Sequence, residues 1–352
     1  MSDRPLSLVT GAAGFTGTHM VETLVRAGHR VRATDHPDAL MRDDRLRGRF
    51  PSVIRGAGAE IIPADLTHLE GLRELLTDVD FVFHVAGLFS YSAPWETLYK
   101  INVEATRNLC EAIIAHRKSA RVVVWGAGGI YATKPPGLLL EEPIDETGKQ
   151  APANRYLRSK WHQEQLVLDM HRYLGLQVSL IRPFTVYGPR GVYGGAQMIF
   201  QFAKTRRPRI PKNFTSRIPF SHVIDVCEAA RYIAERNDTI GEAYNVVDDS
   251  SYSLAEIIRI ISGTHGYRAY WVMPIPMWLV RQCAYVAGFC MRQICRITKQ
   301  RPAIETQAVK LLGIDLWFSN EKLKSIGYVF RYPDVKIGLQ ETVKWYEQAG
   351  WL

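Results

Sequence analysis

Two hydrophobic periods alternate along the first half of the chain. Short runs dense in β-branched and aliphatic residues, at 6–10, 30–34, 60–63, 81–84, 121–125 and 177–182, predict strands, and a seventh follows at 243–247. Between them, apolar residues recur every three or four positions at 21–27, 70–76, 103–115 and 159–174, as on one face of a helix. Strands alternating with helices predict βαβ units and a parallel, doubly wound α/β sheet. After Arg182-Pro183 the period loosens, and proline, glycine and basic residues become frequent. The pattern therefore predicts a sheet domain over 1–183 with strand 240–248 returning to it. A smaller C-terminal substrate-binding lobe is expected over 184–239 and 249–352.

The first strand delivers three glycines spaced three apart, Gly11-Ala12-Ala13-Gly14-Phe15-Thr16-Gly17, and a helical segment follows from Thr18. Backbone without Cβ atoms can bend sharply and approach a pyrophosphate, whose charge rests on the free N–H groups and positive end of the helix. This strand–turn–helix order predicts a Rossmann-type dinucleotide site with Gly11, Gly14, Phe15, Thr16 and Gly17 at its centre. Asp35, at the end of the second strand, is placed to accept hydrogen bonds from the adenosine ribose, and its charge opposes a 2′-phosphate. NAD is therefore the expected cofactor, with Arg32 and Arg42 leaving NADP open. Asp65 and Leu66, after the third strand, suit the adenine edge.

The chain has 352 residues, 47% hydrophobic and 22% charged, with a net charge of +9, which fits a soluble globular protein. Neither a block of like charge nor an aromatic-and-basic signature points to nucleic acid. Five cysteines without paired spacing read as reduced thiols in an intracellular, cytoplasmic protein, and no metal site is expected. The polar start leads directly into the first strand and leaves no room for a signal peptide.

Tyr156 and Lys160 stand four residues apart on a predicted helix and share one face. A lysine charge there is expected to lower the tyrosine pKa and fit the phenol to exchange a proton with an alcohol or ketone. Taken together, Gly11/Gly14/Gly17, His84-Val85-Ala86-Gly87, Asn102, Tyr156/Lys160, the run Arg182-Pro183-Phe184-Thr185-Val186-Tyr187-Gly188-Pro189-Arg190, 220–226 and 243–246 resemble the extended short-chain dehydrogenase/reductases. The resemblance implies that Tyr156, Lys160 and Asn102 are catalytic, with Asn102 holding the active-site helix and a proton-relay water. It also implies that Lys160 binds the nicotinamide ribose, that Ala86, Pro183 and Val186 line the cofactor, and that the protein is a homodimer through 103–115 and 159–174. One position departs from the pattern: where the family places serine or threonine, this chain has Ala127, which donates no side-chain hydrogen bond. Ser90, Ser92, Tyr131 or Thr133 could supply a substitute hydroxyl, and Ser90, Ala127, Gly128 and Tyr131 are the candidate substrate-pocket residues.

Residues 270–298 are apolar and aromatic, interrupted mainly by Arg281, Arg292 and Arg296, and too short between charges to span a bilayer. They suit a membrane interface, the cap of an apolar pocket, or a core helix. Such a segment resembles the 3β-hydroxysteroid and sterol-4-carboxylate 3-dehydrogenase branch. That likeness implies an NAD(P)-dependent oxidoreductase acting on a sterol, steroid or long-chain 3-oxo lipid, peripheral at the inner face of a membrane. Two alternatives stand beside it: a nucleotide-sugar epimerase or dehydratase, with Arg190, Arg206, Arg207, Arg209 and Lys212 facing phosphates, and a non-catalytic nucleotide-binding accessory protein, suggested by Ala127.

Overall fold

A computed structural model of the chain describes residues 4–191, 209–211, 214–264, 266, 270–272, 275–298 and 308–351. Its centre is a seven-stranded, wholly parallel sheet of β1 (Leu6–Thr10), β2 (Arg30–Thr34), β3 (Glu60–Ile61), β4 (Phe81–His84), β5 (Arg121–Trp125), β6 (Val178–Pro183) and β7 (Ala243–Val246). The spatial order is β7-β6-β5-β4-β1-β2-β3. The order reverses beside β1, which pairs with both β2 and β4. A crevice at the carboxyl ends of β1 and β4 is where such a sheet receives a ligand.

The strands hold together because both faces are covered. Alternate residues of one strand serve opposite layers, and β1 and β5 are buried throughout. Val9, Phe83, Val123 and Ile181 face α1 (Phe15–Arg26) and α4 (Val223–Ala234) through Met20, Leu24, Val226 and Ile233. Leu8, Val82, Val122, Val124 and Leu180 face α2 (Ala105–His116) and α3 (Arg155–Leu174) through Leu109, Ile113, Val167 and Met170. The lobe beyond the sheet packs α5 (Leu254–Thr264) against α7 (Val335–Gln348), with Tyr187, Phe220, Ile257, Leu339 and Tyr346 in its core. A further helix, α6 (Met277–Thr298), contacts the turn at Ala308–Leu311.

One expectation is corrected. Helix α4 lies within 184–239, assigned from sequence to the C-terminal lobe, yet it packs on the sheet beside α1. Its apolar residues Val226, Ala230 and Ile233 repeat at helical spacing, and the open ground they fill is the outer face of β5 and β6.

Candidate active site

The glycine turn departs from β1 with Gly11 at φ +64°, a left-handed conformation natural to glycine. A Cβ on Gly11 would lie 2.7 Å from the Ala86 Cα, and one on Gly17 would lie 2.0 Å from the Gly11 carbonyl oxygen. The turn is therefore pinched between the loop after β4 and the first turn of α1. Gly14 differs: its φ is −74° and it is the N-cap of α1, with no side chain capping the helix and no acid in its first turn. The N–H groups of Thr16 and Gly17 consequently remain open to an anion.

Asp35 closes the other side of this cradle, accepting from the Ala13 N–H at 3.0 Å and the His36 N–H at 2.8 Å. Burial pushes its carboxyl up, opposed by those two amides. Asp65 accepts from Thr67 N–H at 2.9 Å, while the buried Leu66 offers its carbonyl to Asn108 at 3.0 Å. Arg32 is committed elsewhere, to Glu60 and the carbonyls of Leu75 and Thr77, so it gives no support to a 2′-phosphate. Two Cβ-free positions, an uncapped helix start and a carboxylate beside the turn fit a dinucleotide. Ala86 follows β4, its N–H on Thr10 at 3.2 Å, whereas Pro183 ends β6 opposite Val246 and Val186 pairs with Ser221.

A polar spine joins this cradle to α3. Thr106 has one hydroxyl proton and donates it to the Asn102 carbonyl at 2.8 Å, so His84 Nε2, 2.8 Å from the same oxygen, must donate. His84 Nδ1 then accepts from the Thr10 hydroxyl at 2.8 Å. This neutral tautomer agrees with burial, which pulls the imidazole down to about 3. Asn102 lies in a π-helical turn, Lys100–Glu104, where its amide donates to Ser159 at 2.9 Å and its side-chain oxygen accepts from Leu88 N–H at 2.7 Å. A Cβ on Gly87 would meet Asn102 Oδ1 at 3.2 Å and Lys160 Nζ at 3.8 Å, so glycine permits that convergence.

Tyr156 and Lys160 occupy one face of α3, which Asn154 caps by accepting from Leu157 N–H at 2.9 Å. The expected lowering of the tyrosine pKa is not found. Burial pushes Tyr156 well above the ordinary tyrosine range, with Tyr91 adding to the rise, and burial pulls Lys160 down to about 7 against the attraction of Glu164. Both charged forms lose their water here, and that loss outweighs the mutual attraction inferred from spacing. The phenol ring is enclosed edge-on by Phe89, 4.9 Å between centroids, and by Tyr91 at 5.6 Å. Sequence reasoning missed both rings, although they stand two and four residues past the His-Val-Ala-Gly run.

Ala127 lies two residues past β5 in extended conformation, buried in an apolar cluster with Leu157 against which Tyr156 and Phe184 pack. Gly128 lies under Phe184, where a Cβ would come within 3.3 Å of the ring's own Cβ. One proposed substitute hydroxyl, that of Tyr131, has its proton committed elsewhere. Tyr131 is fully buried, donating to Asn245 at 2.7 Å and accepting from Arg182 at 2.7 Å, and Arg182 is itself paired with the buried Glu164. The site expected of Tyr131 is corrected accordingly: it braces the β5 end instead of facing a substrate. Ser90 accepts from the N–H groups of Ser92 and Ala93 at 3.2 and 3.1 Å, which shapes the loop bearing Phe89 and Tyr91. Arg190 pairs with Glu22 and His19 behind α1, while Arg206, Arg207, Lys212 and the Arg209 side chain lie outside the described residues.

Comparison with known proteins agrees with this geometry. The sequence signature of the NAD dependent epimerase/dehydratase family matches residues 7–246. A 4-hydroxy-2-methyl-3-oxo-4-farnesyl-3,4-dihydroquinoline-1-oxide ketoreductase from Stigmatella aurantiaca is 27% identical over 331 residues, 92% of each chain. The decarboxylating sterol-4-alpha-carboxylate 3-dehydrogenase of Mus musculus is 24% identical over 328 residues, 91% of this chain and 85% of the mouse protein. The fold is shared with UDP-glucose 4-epimerase of Thermus thermophilus in complex with NAD, at a TM-score of 0.72 and 22% identity, covering 98% of this chain and 99% of that one.

Proposed function

Since this chain belongs to the NAD dependent epimerase/dehydratase family and takes NAD as its cofactor, we propose that it interconverts a ketone and a secondary alcohol on a large apolar substrate. Tyr156 exchanges the proton. The observation that carries this reading is the enclosure of the phenol by Phe89, Tyr91 and the Ala127 cluster, a wall of rings and methyl groups where a sugar would need hydroxyl partners. Of three relatives aligned along more than nine-tenths of the chain, two are named for a farnesylated quinoline oxide and a sterol, which supports the same class, and the third is an N-acetyl-alpha-D-glucosaminyl-diphospho-ditrans,octacis-undecaprenol 4-epimerase, whose sugar is carried on a long polyprenyl chain. A sterol or steroid comes first, then a long-chain 3-oxo lipid. The nucleotide-sugar reading loses Arg190 as a phosphate partner, because Glu22 and His19 hold it.

Bound NAD supplies or accepts the hydride. The chain's own groups handle the proton. With its pKa raised by burial, Tyr156 is a neutral phenol at physiological pH and is set to donate to a carbonyl oxygen. Lys160, held near neutrality, can return a proton to the phenolate and holds about half its charge at pH 7. Gly11, Gly17 and Asp35 bind and orient the dinucleotide, and Asn102 fixes the Leu88 backbone beside α3.

The test is NADH oxidation on a panel of sterol 3-ketones and long-chain 3-oxo lipids, with product analysis on UDP-sugars, repeated with Tyr156→Phe. Removing the proton donor is expected to lower turnover about 10²–10⁴-fold while NAD binding persists. Turnover unchanged in Tyr156→Phe, or turnover confined to UDP-sugars, would overturn the proposal, and a protein inert towards every ketone would favour the accessory role.

A further inference from the structure

A short hairpin, residues 44–50, is bonded to the glycine turn. The Phe50 N–H donates to the Ala13 carbonyl at 2.8 Å, and Arg49 lies opposite Gly14 in an antiparallel bridge. Local chemistry closes the hairpin. Asp44 accepts from the Arg47 N–H at 3.0 Å, Gly48 turns the chain at φ +60°, and Asp44 and Arg49 exchange backbone bonds at 2.8 and 2.9 Å. Helix α1 starts from Gly14, so Arg49 stands at the rim of the N–H groups left open to an anion.

Arg49 is half-buried, and among the described residues no carboxylate lies within ion-pair distance of it. Its Nη1 donates to the Asp38 carbonyl at 3.4 Å, a long bond to a neutral group. Neighbouring cations are committed: Arg32 to Glu60 at 2.9 Å, Arg47 to Asp44 at 3.6 Å, and Arg45 to Trp351. The Arg49 charge also reaches Asp35, where burial raises the carboxyl and Arg49 is among the groups opposing that rise. A guanidinium kept between a ribose-binding carboxylate and an open helix start, yet given no acid of its own, matches the two charges of a dinucleotide's pyrophosphate.

The hairpin is braced from the C-terminal lobe. Trp351 stacks on Phe50 at 6.2 Å between centroids, lies 4.1 Å from the Arg45 guanidinium, and offers it a carbonyl at 3.2 Å. The same indole stacks on Tyr346 at 5.7 Å and meets Trp345 edge-on at 4.9 Å, against the core of the lobe. The hairpin is thus fixed at two places, by the glycine turn and by the lobe. Arg49 sits at the first and answers to the second.

We propose that Arg49 is a dinucleotide-binding residue that clamps the pyrophosphate, and that Trp351 is its positioning residue, acting through Arg45 and Phe50. The inference rests on NAD binding and not on the substrate, so its test requires no turnover. NADH is titrated into the full chain by fluorescence at several salt concentrations, and the ligand-free Tm of each variant checks its fold. Arg49→Gln is expected to weaken binding about tenfold and to flatten its dependence on salt, and Arg49→Lys to recover most of both. Trp351→Ala, and Arg45→Gln at the exposed end of the same contact, are each expected to weaken binding about threefold or more. Neither should add to the loss in a chain already carrying Arg49→Gln. Wild-type binding by Arg49→Gln would overturn the proposal. So would weaker binding that keeps the wild-type salt dependence, which a loosened turn alone would give. A loss confined to NADPH would assign the cation to a 2′-phosphate instead, and full additivity of Trp351→Ala with Arg49→Gln would overturn the positioning role.

Discussion

Lys160 gives the most demanding test, because the site should hold it at a cost to the fold. Its ordinary pKa of 10.5 falls to about 7 on burial beside Tyr156. At about 1.36 kcal/mol per unit, that difference corresponds to roughly 4–5 kcal/mol as an upper bound. The sign follows from proton counts. Below about pH 7 the lysine is protonated whether folded or unfolded, and the full cost is present. Between about 7 and 10.5 the unfolded chain keeps a proton that the native chain has released, so stability rises with pH. Lys160→Met removes the charge and keeps most of the apolar stem. The variant is expected to be inactive yet more stable than wild type at pH 6.5, by about 2–4 kcal/mol or a few degrees in Tm. That advantage should shrink by up to about 1.4 kcal/mol per pH unit towards pH 10. Denaturant and thermal melts at pH 6.5, 7.5, 8.5 and 9.5 measure it. A variant less stable than wild type at pH 6.5, or an advantage that does not change with pH, would refute the reasoning.

Three further outcomes are expected. Gly17→Ala drives a methyl into the Gly11 carbonyl, so NADH titration should show at least about tenfold weaker binding together with a lowered Tm. Ala127→Ser should raise kcat if it restores a donor to the carbonyl oxygen, within the roughly 10²–10³ that one such donor supplies, and steady-state kinetics on a turned-over ketone will read it. Glu164→Gln strands the buried Arg182 charge, and urea unfolding should show about 3–5 kcal/mol lost.

Local chemistry was legible in the sequence and burial was not. The strands at 6–10, 30–34, 81–84 and 121–125 coincide with the observed ones because β-branched runs buried on both sheet faces have no competing reading. The glycine turn and Asp35 were equally clear, since a left-handed residue and a carboxylate at the end of β2 answer to local geometry. Tyr156 was misjudged because spacing reveals a neighbouring charge and says nothing of Phe89 and Tyr91 excluding water. Tyr131 looked available because its partners Arg182 and Asn245 arrive from β6 and β7, distant in sequence. Helix α4 was misassigned for the same reason: what it packs on is decided by the sheet's order.

The chain of contacts from Thr10 through His84, Thr106 and Asn102 to Ser159 works as a spacer of fixed length. Methyl groups in a core can slide by tenths of an ångström at little expense, whereas a buried hydrogen bond weakens as it is stretched and costs about 1–3 kcal/mol once a partner is left unpaired. The gap between the glycine turn and the Tyr156 helix is thereby set by bond lengths and not by how the layers settle. A lobe reshaped for bulkier substrates would leave that gap untouched, so the dimension on which proton exchange depends is insulated from the part of the molecule that has most to vary.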